Sequence, residues 1–442
     1  MNGRRRVSAV VGVVVVAAVI ATTVVLSRSR HAAHTSSAAV TTTTTTLPAV
    51  DYVYAHAAGA TTVAGTGAPG FRGDAGPAVD AQLDAPAGIV EDASGDLFIA
   101  DAGNCRVREV PSRTGMSFGL HMQAGDIVTI AGGSCRDSDA NPAPDALAVD
   151  ANEDLFITFG AGARVEELPA RTTTAFGVPM TAGKLAVVAG TGVTGFGGDG
   201  GPAGRGEIDD PTGVVVDQAG DLVIADTGNC RVRLVAATNG VRFGVAVVAG
   251  HIYTVAGTGI CGSAGDGGVA LHAELWDPGA LAVDADGDVL VADQGNRTVR
   301  VLAAHTGKFY GVALAADHLG TVAGEGSYGP YLVDGLSSLF EAAEINFPSG
   351  IVVDHGGLFI ADGAMRTIRL VPAVAGTLLG KKALADDMYT AAGALSTGGL
   401  HNMTTWIQTR LLDPTGLTLS PGGELIYSDT EANVVRELPT GS

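Results

Sequence analysis

Basic side chains are what this chain most lacks. It has only four lysines, Lys184, Lys308, Lys381 and Lys382. Residues 51–442 set 21 Lys and Arg against 46 Asp and Glu, a net charge of −25. Gripping a phosphate backbone needs a basic face, so nucleic acid is excluded as a partner. Cysteine is nearly as scarce, with four residues and no CxxC spacing, which argues against a thiolate metal site. HExxH and HxxxH pairs, GxSxG, a P-loop and a GxGxxG leading into a helix are all missing, and the glycine-rich segments run into strands instead. The ten histidines occupy unrelated positions, so a zinc site is open only as one assembled across distant parts of the chain.

What is present is a ruler. A proline, an apolar run, a polar turn and a second apolar run recur six times, starting at Pro86, Pro144, Pro211, Pro278, Pro348 and Pro414. The proline stands 15 residues before the end of the second run in five units and 14 before it in the fifth. The runs are short, rich in Val and Ile, and divided by Asp or Gly, as paired antiparallel strands are. A third run comes next, as in Arg231 to Val235. A fourth ends in Ala-Gly at Gly132, Gly190, Gly257, Gly324 and Gly393, each 31 residues beyond the second. Four short strands per unit, at a period near 67 residues, predict an all-β fold, a six-bladed β-propeller of four-stranded antiparallel blades.

The sixth unit has room for a third strand, Asn433 to Leu438, but not a fourth, and a run at Thr61 to Gly65 has no partners of its own. The spacing predicts that this N-terminal strand completes the last blade and closes the ring, so that its backbone groups are paired. Connections from each strand-four glycine to the next proline span 21 residues four times, 24 after Gly324 and 12 after Gly132. All cross on one face of the disk, and long loops on a rigid scaffold are where ligands bind.

The pattern Pro-x-Gly-(apolar)3-Asp-x-x-Gly-Asp-(apolar)3-Ala-Asp-Thr-Gly-Asn-x-Arg, read from Pro211 to Arg231 and less perfectly from Pro278 to Arg297, resembles the NHL repeat of six-bladed propellers. The resemblance covers Thr61 to Ser442. Segments Gly70 to Ala78 and Gly195 to Ala203 resemble the bacterial, secreted or receptor-attached branch of that family. Unit two departs, because Phe159 replaces the Asp and no Asn precedes Arg164. The receptor-attached relatives imply a sensor. Related six-bladed propellers that are metal-dependent lyases or lactone hydrolases imply instead a Ca or Zn held in the central channel.

One apolar run is long. Val7 to Leu26, preceded by Arg4, Arg5 and Arg6, predicts a transmembrane helix that keeps the N-terminus inside the cell. The alternative is a secretory signal, cut near Ala39 in Ser37-Ala38-Ala39. Either exports the remainder of the chain, and about six residues ahead of the run leave no room for a signalling domain. The expected organisation is an anchor or signal at 1–30, a stalk at 31–60 carrying the threonine run Thr41 to Thr46, and the propeller at 61–442. Cys105 and Cys230 each stand four residues after the strand-two Asp, while Cys135 and Cys261 stand three and four after strand-four glycines. In an exported sheet these positions are neighbours, which predicts disulfides Cys105–Cys135 and Cys230–Cys261.

Three groups of polar residues stand out. The strand-two aspartates Asp101, Asp226, Asp293, Asp362 and Asp429, with Arg106, Arg231, Arg297, Arg366 and Arg436 a few residues on, recur too often for a single catalytic site and read as structural turn residues. Asp74, Asp199 and Asp266, each nine residues beyond a strand-four glycine, lie in the long loops and are candidate binding-face or calcium residues, with turn formation as their simpler role. The irregular loops add Tyr328, His401, Trp406 and Arg410, since Trp and Arg concentrate at binding hot spots. Phe118, Phe176, Phe243, Tyr310 and Leu379, each 14 residues before a strand-four glycine, read as pegs that pack the strand three-to-four connection. The function expected is a non-catalytic, extracytoplasmic binding, scaffold or sensor module. It would be a monomeric propeller without cofactor, offering its loop face to a protein, peptide or glycan. The alternative is the metal-dependent lyase or hydrolase with its site in the channel.

Overall fold

Proline opens the inner strand of five blades, because its fixed φ suits the first residue of a strand and its missing N–H is not needed there, whereas in blade two that strand is only Leu147–Val149 and Pro144 precedes it. The six resulting sheets are seen in a computed structural model that describes residues 50–52, 60–133, 142–326, 336–337, 344–354, 357–378, 381–393 and 410–438. Blade three shows the plan: Pro211–Val216, Leu222–Asp226, Arg231–Val235 and His251–Ala256 pair antiparallel in that order. The second strand of the blade is buried along its whole length, because neighbouring blades cover both faces of the sheet. The core is therefore divided into six apolar layers, one between each pair of adjacent blades.

The glycine of Pro-x-Gly has a steric cause. Inner strands of adjacent blades pass backbone against backbone around the central channel. A Cβ on Gly88 would stand 2.6 Å from the Asp145 carbonyl oxygen, and one on Gly416 2.6 Å from that of Ala87. Side chains then latch the blades together: Thr227 Oγ1 donates to the Pro278 carbonyl at 2.6 Å and Thr430 Oγ1 to that of Pro86 at 2.7 Å. Ring closure is as predicted. Thr61–Ala64 pairs antiparallel with Val434–Leu438, so the last blade takes its outer strand from the other end of the domain.

Two details differ from the sequence reading. Blades one, three, four and five gain a fifth strand of two residues, such as Gly201–Pro202, because the middle of the loop arriving from the preceding blade pairs with strand four of the blade it enters. The strand three-to-four connection is itself a hairpin, as in Gly240–Arg242 with Val245–Val247. Phe118, Phe176, Phe243 and Tyr310 sit at the hairpin tips with positive φ, each succeeded by a glycine that shares the tight turn. They still pack as pegs, with Phe118 edge-on to Phe98 and Phe176 edge-on to Phe156, at 6.0 Å in both pairs. A further short strand, Val50–Tyr52, runs parallel to Gly376–Leu378. Among the described residues no helix is long and apolar enough to cross a membrane. The run Val7 to Leu26 lies outside them, as do Cys135, Tyr328, His401, Trp406 and Leu379.

Candidate ligand-binding face

The face that carries the inter-blade loops also carries the strand two-to-three turns, and a repeated ion network joins them. Each strand-two aspartate is fully buried. Asp226 accepts the Asp209 N–H at 2.7 Å and the Asn229 amide at 2.8 Å, and its counterparts Asp101 and Asp293 do the same with Asp84 and Asn104, and with Trp276 and Asn296. Asp362 and Asp429 hold backbone N–H groups of the preceding loop in the same way. Burial pushes the Asp101, Asp226, Asp293 and Asp362 carboxyls above the usual range, and the donors around them pull the other way.

The loop aspartates close the network. Arg233, buried on strand three, reaches Asp226 at 3.0 Å and Asp199 at 2.6 Å. Arg108 joins Asp101 and Asp74 at 3.6 and 2.6 Å, and Arg300 joins Asp293 and Asp266 at 3.3 and 3.1 Å. Asp74, Asp199 and Asp266 thus tie their loops to the blade through a buried guanidinium. The arginines that the sequence pattern suggests are mostly not the partners. The pairing residue lies seven positions after the aspartate, at Arg108, Arg233, Arg300 and Arg436, and of these only Arg436 belongs to the suggested set. The recurring seven-residue offset is the sequence signal that marks them.

Arg106 and Arg231 do something else. Their guanidinium groups lie over the rings of Phe71 and Phe196, 3.4 and 3.8 Å from the ring centres. Cys230 is bonded to Cys261 with Cα atoms 5.4 Å apart, as the repeat predicts. Cys105 is also disulfide-bonded. Arg410 is exposed, four residues ahead of the inner strand Pro414–Leu419 of the last blade.

Blade four breaks the pattern. Asn229 donates to the Gly195 carbonyl and Asn296 to that of Gly262, which aligns the two loops residue by residue. By that alignment Ser263 stands where blade three has Phe196, and Thr298 where it has Arg231. The stack is gone, and a cavity of about 610 Å³ opens, lined by Ser263, Thr298, Trp276, Asp266, Arg300 and Glu325 among others.

The central channel is different in kind. Its mouth, a cavity of about 150 Å³, is walled by glycine, small and aliphatic residues of all six inner strands and by one acid, Asp145. Burial and the nearby Asp210 carboxylate raise the Asp145 pKa to about 6. Among the described residues no group of three or more His, Cys, Asp or Glu is placed to hold a metal ion.

The NHL repeat family profile matches residues 209–233, the stretch from the loop of blade three through its buried Arg233. The chain is a six-bladed propeller that carries an NHL repeat at those residues. No curated protein matches it in sequence. Two solved structures from one bacterium share the fold of this propeller at low identity. A Bacteroides thetaiotaomicron structural genomics protein of unknown function has a TM-score of 0.52 at 15% identity, over 86% of this chain and 75% of that one. An auxiliary nutrient binding protein from the same organism has a TM-score of 0.54 at 12% identity, again over 86% and 75%. A gluconolactonase from Xanthomonas campestris reaches 0.46 at 13%, over 89% and 98%. At such identities the likeness is one of fold.

Proposed function

We propose that this NHL propeller is an extracytoplasmic binding module, held at the membrane by its N-terminal segment and presenting the loop face to a ligand. The observation that carries the reading is the contrast along that face. In blades one and three the conspicuous charges and aromatics close on one another, whereas blade four keeps the same frame and leaves an open pocket beside a tryptophan. A scaffold that fills a position twice and empties it once has a surface suited to recognition. The disulfide in blade three suits an oxidising compartment, and the fold is shared with a nutrient binding protein.

The test reads retention and chemistry together. The purified full-length chain is passed over immobilised polysaccharides and peptide arrays while soluble products are assayed. Retention without product is the expected result. Release of product, with activity lost on chelation and about one Ca or Zn per chain after dialysis, would replace this reading with the lyase or hydrolase, centred on the channel and Asp145.

A further inference from the structure

We infer that the blade-four pocket binds one sugar ring of a neutral glycan, with Trp276 as the platform; this rests on the loop face being a binding surface. The platform is held in place. The Trp276 backbone N–H donates to the buried Asp293 carboxylate at 2.7 Å, its backbone carbonyl accepts the Gly295 N–H at 2.8 Å, and the indole lies directly against Gly295, where a Cβ would collide with the ring. Even so, 48% of Trp276 remains exposed. A flat apolar surface fixed on one side and open on the other matches the C–H face of a pyranose.

The walls supply what a ring of hydroxyls needs. Thr298 is only 6% exposed, and its hydroxyl has no hydrogen-bond partner among the described residues. Buried polar groups are ordinarily paired, so this hydroxyl, shut off from solvent as it stands, gains a partner once Thr298 turns its side chain toward the ligand. Arg300 is 2% exposed, and its Nη2 lacks an aligned hydrogen bond although Asp266 Oδ1 is 3.1 Å away. The Asp266 carboxylate accepts from Thr321 Oγ1 at 2.9 Å and keeps 47% of its side chain exposed. The lining therefore combines a carboxylate acceptor with hydroxyl and guanidinium donors, the mix that vicinal hydroxyls require. Charge points the same way. Asp266, Asp293 and Glu325 face Arg297 and Arg300, a near balance that favours a neutral polyol over a phosphate or a cation. A volume of about 610 Å³ accommodates a mono- or disaccharide.

The test makes Trp276 the single reporter. With two tryptophans in the chain, Trp406→Phe in the full-length protein leaves only Trp276 emission. Methyl β-glucopyranoside, methyl α-mannopyranoside, N-acetylglucosamine and a triglycine control are titrated in turn. We expect a saturable emission change with at least one sugar, at a Kd of about 1–10 mM. Ser263→Phe with Thr298→Arg rebuilds the blade-three stack inside the pocket, so it should weaken that binding at least about tenfold while Tm holds or rises. No saturable change with any sugar overturns the inference. So does sugar binding that survives the double variant. If polysaccharide or peptide retention persists in either case, the binding-module reading stands without this pocket. If retention is lost as well, both fall.

Discussion

Blade three and blade two share one strand plan and treat buried charge in opposite ways. In blade three Arg233 bridges Asp226 and Asp199 with all three in contact, and its neighbour Leu234 lies in the apolar layer against blade four. In blade two Phe159 and Glu166 occupy the positions of Asp226 and Arg233, and the cation has moved to Arg164, which pairs with Glu166 at 2.5 Å. Where blade three has Leu234, blade two has Glu167, fully buried, opposite Phe156 and with neither carboxyl oxygen paired among the described residues. Burial raises its pKa to about 8. Glu109 in blade one accepts a hydrogen bond from Ser117 at 2.9 Å, and its pKa is raised less, to about 7. The lesson is that a propeller layer tolerates an acid in a leucine's place when the acid can stay protonated, whereas an arginine needs its carboxylates.

The comparison breaks most sharply at Arg233. Arg233→Ala strands two carboxylates, one of them fully buried, and should cost about 3–5 kcal/mol in urea unfolding. Glu166→Ala at the matching place should cost about 1.5 kcal/mol. Equal losses would show that blade three's closed network adds nothing over blade two's local pair. Next in size is the disulfide: Cys230→Ser with Cys261→Ser frees a link across 31 residues and should lower stability by about 3–4 kcal/mol.

Glu167→Leu should act in the other direction, giving blade two the residue of blade three and about 1–3 kcal/mol of stability at pH 7. The sign with pH comes from a folded pKa near 8 against an ordinary 4.5. The folded chain holds a proton that the unfolded chain has lost, so this group lowers stability as pH rises from about 5 to 8 and no further above that. The gap between Glu167→Leu and the parent should widen over that window, and a gap independent of pH would refute the buried-acid account. Smallest is Phe196→Ala, which removes the ring under Arg231 and should cost about 0.5–1 kcal/mol beyond its lost packing, measured against the matching Arg231→Ala in a double-mutant cycle.

Much of this architecture is readable from spacing. Six prolines, five strand-four glycines and the orphan run at Thr61 lead directly to a closed six-bladed ring, because strand length and turn chemistry are local properties. The Cys230–Cys261 bond is legible for the same reason, since a repeat fixes which strand ends are neighbours. The ion network is only half legible. Asp199 and Arg233 are 34 residues apart, as are Asp74 and Arg108, and nothing local to either residue announces the other. Trp276 is inconspicuous in the sequence because its unit reads as an ordinary copy. Its meaning appears only when Ser263 and Thr298, far apart in the chain, are seen to leave the same space empty.

The sequence by itself therefore determined the blade count, the strand order and the closure of the ring. These depend on periodic apolar and turn residues whose effects reach only a few positions along the chain. Only the tertiary structure decided which charges neutralise one another, which acids must keep a proton, and where the loop face opens. Those outcomes depend on desolvation and volume, which exist only once distant segments have packed together.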